Sequence, residues 1–409
     1  MNRENSLHFK VIIVGGGASG LTLAIKLLEK YKSNEIAIIE KLDRVAKKLL
    51  STGNGQCNLS NVNSDLSHYH SENQGFCDEI LVKHSNSLFS FYESLGVPLT
   101  IEGDKVYPLS KQASSVVDAL RFKVQALEIS TFLNTEVIGA KKQKGKFILE
   151  CNTNDIFTCD KLVIAVGGSA QKHFGTDGAG YKLLKAFGHT QTKIYPSIVQ
   201  LKTDLKKIKG LKGLKQKVKM HAIVNGSEVS SFTGEVLFTE YGISGNATFY
   251  LSSYIAGKEN AQVKIDFCPD LSQEDLLTLL NLKKASCPYL TGEHILNGVM
   301  NNKIASAVLR NSGIINLTDK IECFNVDKIA KLIKNYTINV LGTMGFDYAQ
   351  VTKGGIDTRD FSPLTLESKL VPSLFALGEV LDVDGDCGGY NLRWAYCSAI
   401  ALAKAMAEQ

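Results

Sequence analysis

The chain has 409 residues, 44% hydrophobic and 21% charged, with a formal charge of +5. That length predicts two or three domains, and the composition excludes a disordered chain. The mild charge neither requires nor excludes a nucleic-acid partner, which depends on where basic residues cluster. No apolar run approaches the roughly 20 residues that span a bilayer. The polar start, Met1 to Lys10, runs straight into a short strand, so no secretory signal is expected there. The nine cysteines (57, 77, 151, 159, 268, 287, 323, 387 and 397) include no CxxC pair. This argues against a zinc ribbon, no metal site is expected, and a reduced, cytoplasmic chain with mostly buried thiols follows.

Val11-Ile12-Ile13-Val14 reads as a parallel strand buried on both faces. Gly15-Gly16-Gly17-Ala18-Ser19-Gly20 follows, and Leu21, Leu23, Ala24, Leu27 and Leu28 then mark a helical face. A G-x-G-x-x-G between strand and helix is the dinucleotide-binding context. Gly15 permits the tight turn, Gly17 lets backbone approach a pyrophosphate, and Gly20 lets the helix close on the strand. The helix N-terminus offers its N–H groups to phosphate. A second strand, Ile36 to Ile39, ends in Glu40, 20 residues after Gly20, where an acid accepts hydrogen bonds from ribose hydroxyls.

Two later segments choose between dinucleotides. Leu162 to Val166 is a buried strand ending in Gly167-Gly168, and Leu374 to Leu377 another ending in Gly378-Glu379. Strands so far apart, all ending in small or acidic residues, suggest one sheet lining a single long cofactor. An NAD domain is normally contiguous, whereas this nesting is similar to that of FAD proteins. Gly388-Gly389-Tyr390-Asn391 then opens an amphipathic helix, Leu392 to about Met406, whose positive end suits the flavin pyrimidine edge.

The chain resembles a conserved bacterial family of NAD(P)/FAD-dependent oxidoreductases that includes BaiN-like and YhiN-like flavoproteins and aminoacetone oxidases. The match is carried by Val11 to Gly20, Lys47 to Asn61, Lys105 to Pro108, Gly175 to Gly178, Gly242 to Gly245, Gly378 to Gly385 and Gly388 to Leu392, essentially the whole chain in order. The resemblance implies an α/β fold in which a Rossmann-type FAD-binding domain is interrupted by an inserted β-rich unit plus a helical unit. It implies cofactor contacts at Gly15, Gly17, Ala18, Ser19, Gly20, Glu40 and Lys41, and at Lys48, Gly53, Asn54, Cys57 and Asn58. Further contacts are implied at Val137, Gly167, Gly168, Gly378, Glu379, Gly389, Tyr390, Asn391 and Leu392. There are departures. The usual Gly-Arg-Cys-Asn is Gly55-Gln56-Cys57-Asn58, a proline commonly following Ser-Gly is Asn246, and a late Ser-Gly is Ser398-Ala399. Losing the arginine removes a phosphate or carboxylate clamp, so substrate class does not carry over.

The residues agree with an insertion. From about Pro196, Lys215, Lys217, Lys219 and His221 alternate with Val218, Met220, Ala222 and Val224, a half-exposed antiparallel strand. Gly234 to Thr239 and Val263 to Phe267 read similarly. Ser272-Gln273-Glu274 looks like a helix cap, and helical periodicity continues to Lys334. The expected division is an FAD-binding domain in two parts, residues 1–192 and 349–409, around a barrel-like β-rich insert, 193–270, and a helical insert, 271–348.

Two residues are candidates for chemistry. Cys57 can donate a proton to a substrate carbon opposite a hydride from the flavin, or be a small packed thiol. Tyr107 can orient a substrate carbonyl, or simply pack. Asp177 can contact substrate or cap a helix beginning near Ala179, and capping alone accounts for it. His68 and His70 share a strand face with no third ligand in sight, and Asp384 and Asp386 flank Gly385 in a turn next to the last helix, where one can contact the cofactor or both serve only the turn. Eight lysines between Lys202 and Lys219 form either a solvated face or a phosphate-binding surface for RNA, without interleaved aromatic residues.

The expected function is hydride transfer between FAD and an organic substrate. Its leading form is NAD(P)H-fed reduction of a C=C bond, in uracil of ribosomal RNA or in a small enone. Oxidation of small amines, and an RNA-binding flavoprotein with a mainly structural FAD, are the alternatives. A flavin-free NAD dehydrogenase is disfavoured by Gly378-Glu379. No second G-x-G-x-x-G exists, so NAD(P)H must approach without a Rossmann domain of its own.

Overall fold

The computed structural model describes residues 6–63, 65–314 and 316–408; the first five residues of the polar start lie outside them. The chain divides into two compact units, Met1–Pro196 with Gln350–Gln409, and Ser197–Ala349.

The first unit is built on a sheet of seven strands. The opening strand, Ser6–Val14, lies between Ile36–Ile39 and Ile156–Ile164, parallel to both. Ser130–Phe132 extends the sheet in parallel beyond the second strand, and Leu374–Ala376 pairs in parallel with Ile156–Ile164. Lys146–Cys151 and Val137–Gln143 add an antiparallel flap. Val11, Ile12 and Ile13 have no exposed surface, as a strand covered on both faces requires. Burying such a side chain is worth roughly 1.5–3 kcal/mol. Register decides where the site falls. Val14 pairs with Ile39 and Ile164, and Ile164 with Ala376, so four parallel strands end in one row. Just beyond that row come Gly15, Glu40, Gly167 and Gly378, which the sequence separates by up to 363 positions.

The C-terminal helix, Tyr390–Glu408, differs from the amphipathic expectation. Arg393, Trp394 and every residue from Tyr396 to Ala403 are buried. It packs against the glycine-turn helix Ala18–Leu27 and the helix Asp78–His84, so both its faces are interior.

In the second unit Leu201–Thr203, Gly242–Ser244, Ser227–Phe238, Lys215–Val224, Ala261–Asp266 and Tyr336–Thr343 close a barrel in that order. Val218, Met220 and Ala222 face its core, while Lys215 and Lys217 are exposed. Helices Gln273–Ser286, Asn302–Asn311 and Val326–Lys334 follow, the first capped by Ser272, whose side chain accepts from the Asp275 N–H. The segment expected to be wholly helical thus also holds a barrel strand, Tyr336–Thr343. Tyr336 and Ile338 point inward there in a period-two pattern too short to stand out beside the helices. Among the described residues no helix is long and apolar enough to cross a membrane.

Candidate cofactor and active site

The glycine turn is shaped by close contacts on one side and open space on the other. A Cβ on Gly15, whose φ is +106°, would lie 2.5 Å from the Ala165 carbonyl oxygen, and one on Gly20 would lie 2.0 Å from that of Gly15. A Cβ on Gly17 would meet nothing within 4 Å. The helix Ala18–Leu27 begins at Gly17 with no side-chain cap and no acid in its first turn. Its leading N–H groups therefore face a cradle suited to an anion. Glu40 braces the turn: its Oε2 accepts from the Gly16 N–H at 2.8 Å and its Oε1 from that of Leu42 at 2.9 Å.

The other strand ends converge here. Ser19 Oγ lies 3.0 Å from where a Cβ of Gly378 would be. Trp394 donates its indole N–H to the Gly378 carbonyl (3.1 Å), and Ser398 Oγ accepts from the Gly378 N–H (3.2 Å). Glu379 binds Lys48 Nζ through Oε2 (2.8 Å) and accepts from the Thr352 N–H through Oε1 (2.9 Å). Gly168 packs beneath it, since a Cβ there would lie 2.5 Å from Thr352 Oγ1 and 3.0 Å from Glu379 Oε1. Lys41 pairs with Asp177 at 2.8 Å, and Asp177, one residue before the N-cap Gly178, also accepts from the Ala179 N–H at the start of the helix Ala179–Ala186. Val137 begins a strand two residues after Thr135, whose N–H bonds the Glu40 carbonyl.

Residues 51–61 fold over this edge through four left-handed positions, Gly53, Asn54, Gly55 and Cys57. Asn54 is exposed, whereas Cys57 has no exposed surface at all. Burial pushes its thiol up to about 12, so it is neutral. A side chain with no accessible surface in the protein alone cannot touch a cofactor or substrate. Of the two readings open for Cys57, the structure supports packing. Asn58 keeps a buried Oδ1 with no hydrogen-bond partner among the described residues, packed beside Gly389. Tyr107 lies on Lys105–Pro108, which pairs with Ser60–Asn61; it is 9% exposed, and burial raises its hydroxyl.

The C-terminal helix starts after Gly388 and Gly389, both at positive φ, and a Cβ on Gly389 would lie 2.3 Å from the Ser60 carbonyl oxygen. Asn391 uses its side chain inside the protein, accepting from the Gly385 N–H (2.8 Å) and donating to its carbonyl (2.7 Å). Leu392 is half-buried in the first turn. Tyr390 stacks on His68 with ring centres 4.4 Å apart. Arg393, a buried residue that helical periodicity gave no reason to single out, donates to Ser60 Oγ (2.9 Å) and to the Asn63 carbonyl (3.0 Å).

Asp384 and Asp386 are not turn residues. Asp384–Gly385 pairs antiparallel with Tyr69–His70, placing Asp384 opposite His70. Asp386 Oδ2 and Oδ1 lie 2.9 Å from His68 Nδ1 and from His70 Nε2 respectively. Asp384 is buried with neither carboxylate oxygen hydrogen-bonded. Burial drives its carboxyl up to about 7 and that of Asp382 up to about 6.

The open cradle at Gly17, the uncapped helix and Glu40 at the neighbouring strand end fit a dinucleotide. In the second unit the lysines divide. Lys207 donates to the Thr337 carbonyl at 2.6 Å, Lys212 pairs with Glu240, and Lys217 lies 3.6 Å from Asp270. Lys202, Lys206, Lys209 and Lys215 are exposed.

Residues 9–405 match the family model described as HI0933-like protein Rossmann domain. The chain is 33% identical over 408 residues to the 3-dehydro-bile acid delta(4,6)-reductase of Clostridium scindens, covering 98% of this chain and 99% of that protein. It is 29% identical to the ribosomal RNA dihydrouridine synthase of Haemophilus influenzae, covering 99% and 100%. A flavocytochrome c3 fumarate reductase in its open conformation shares the fold, with TM-score 0.52, 13% identity, and coverage of 99% of this chain and 79% of that one.

Proposed function

The chain belongs to the HI0933-like Rossmann-domain family of flavin-dependent oxidoreductases, and from that premise we propose that it reduces a C=C bond conjugated to a carbonyl, with NAD(P)H as the electron source. One observation carries this reading: over its whole length the chain is similar to two proteins whose names specify related reductions. A 3-oxo-delta(4,6) steroid and a uracil ring both carry a carbonyl-activated C=C.

Gly15, Gly17, Ala18, Ser19 and Gly20 hold the pyrophosphate, and Glu40 the ribose hydroxyls. Lys41, Lys48, Gly53, Asn54, Asn58, Val137, Gly167, Gly168, Gly378 and Glu379 line the middle, and Gly389, Tyr390 and Leu392 the flavin end. Asn391 serves indirectly, by fixing Gly385. When bound, the flavin supplies the hydride. The protein orients the substrate carbonyl, for which Tyr107 is the candidate, and excludes water from the buried strand ends. Cys57 contributes packing. The exposed Lys202, Lys206, Lys209 and Lys215 would help to hold RNA if the uracil lies in RNA.

Incubation with NADPH and either a 4-en-3-one steroid or uridine-containing RNA tests the reading. Product carrying two added hydrogens supports it, and the substrate that reacts separates the two classes. Unchanged material in both, with flavin bound, contradicts it.

A further inference from the structure

His68, His70, Asp384 and Asp386 form a ladder that the flavin contacts do not absorb. Asp384 stands opposite His70 across two antiparallel strands, and the Asp386 N–H bonds the His68 carbonyl at 2.9 Å. Alternate residues share a face, so both carboxylates and both imidazoles lie on one side. Asp386 joins the two rings at 2.9 Å on each side. His68 continues outward, its Nε2 lying 3.2 Å from the exposed Asn63 amide, and each histidine side chain is 20% exposed. Asp384 at the inner end is 1% exposed, and neither oxygen has a hydrogen-bond partner among the described residues.

We propose that Asp384, His70, Asp386 and His68 carry protons between solvent and the start of the C-terminal helix, supplying the proton that each reduction consumes. This rests on the reductase reading. Adding hydrogen across C=C breaks the π bond and forms two C–H bonds. One takes hydride originating from NAD(P)H, which leaves as NAD(P)⁺, and the other takes a proton drawn from water. Asp384 has too little exposed surface to touch substrate and no hydrogen bond to His70, so it stores a proton that passes to or from His70, its cross-strand neighbour, only when a side chain rotates to close that gap. A buried carboxylate without hydrogen bonds is held neutral. The groups facing it are Lys353 and His70, which favour its charge, and Asp382 and Asp386, which oppose it. The resulting carboxyl, at about 7, can both hold and release a proton near neutrality.

Infrared difference spectroscopy of the flavin-loaded protein tests this without turnover, followed by pH profiles of substrate reduction. The protonated-carboxyl absorption should fade as pH rises through neutrality, and the near-isosteric Asp384→Asn should lose its component at about 7 while keeping the Asp382 component that fades at about 6. Turnover of that variant should fall by about a hundredfold and lose the neutral-range pH dependence of the parent. Asp386→Asn, which breaks the bridge but keeps Asp384, should retain the Asp384 component and show the same slow turnover. Reduction proceeding with no such component, or with an unchanged profile in Asp384→Asn, overturns the relay and leaves the reductase reading standing. The Asp384 component without any C=C reduction overturns the reductase reading and, with it, the task assigned to the relay.

Discussion

Lys48 Nζ lies 2.8 Å from Glu379 Oε2, joining segments 331 positions apart at the common end of the parallel strands. Each side chain is 21% exposed, so neither charge is fully screened by water. Removing one partner is worse than removing both. Glu379→Gln alone should destabilise by about 1–2 kcal/mol and weaken flavin retention, and adding Lys48→Met should recover part of the stability. Thermal unfolding of the singles and the double checks this; strict additivity would show that the pair does not couple.

Gly17 and Gly20 separate binding from folding. A Cβ at Gly17 meets no atom of the described residues within 4 Å, so Gly17→Val should fold normally and purify without flavin. At Gly20 the added carbon would sit 2.0 Å from the Gly15 carbonyl, so Gly20→Val should lose about 3 kcal/mol or more and express poorly. Circular dichroism and the visible spectrum distinguish the two. A yellow, fully loaded Gly17→Val would contradict the cradle.

Cys57→Ala should keep its flavin and its turnover while losing about 1 kcal/mol of stability, because it empties a small packed volume. Alkylation followed by peptide mapping should label the exposed Cys323 readily and Cys57 only after unfolding. A large loss of turnover in a stable Cys57→Ala protein would restore it as a proton donor.

Stability should depend on pH through Asp384. Its folded value of about 7 lies above the roughly 3.9 of an unfolded aspartate. Below the lower value the group is protonated in both states and carries no penalty. Between the two the folded state binds more protons, so stability falls as pH rises, and the loss levels off above about 7. Asp382, at about 6, acts in the same direction. Asp384→Asn should therefore gain stability relative to the parent as pH rises from 4 to 7, measured by urea unfolding. A difference that does not change with pH would contradict a neutral Asp384.

The strand–glycine–helix run, Glu40 and the distant Gly378-Glu379 were legible because buried parallel strands and tight turns constrain residue type locally. The ladder of His68, His70, Asp384 and Asp386 was not. Each half suggested a strand face or a turn, and their pairing depends on a two-residue strand formed across 314 positions. Cys57 looked reactive from its place in a polar loop, yet its left-handed backbone turns the thiol into the core. Arg393 was hidden for the opposite reason, as a charge inside a helix that proved buried on both faces.

Carbonyl-conjugated C=C reduction by a flavin that NAD(P)H reduces can be followed in the flavin absorbance of the purified protein, anaerobically, first with NADPH and then with a 4-en-3-one steroid or uridine-containing RNA. NADPH should bleach the flavin, and one of the two substrates should return the oxidised spectrum with one equivalent of reduced product. A flavin that NADPH leaves oxidised, or that once bleached is restored by oxygen but by neither substrate, would contradict this chemistry.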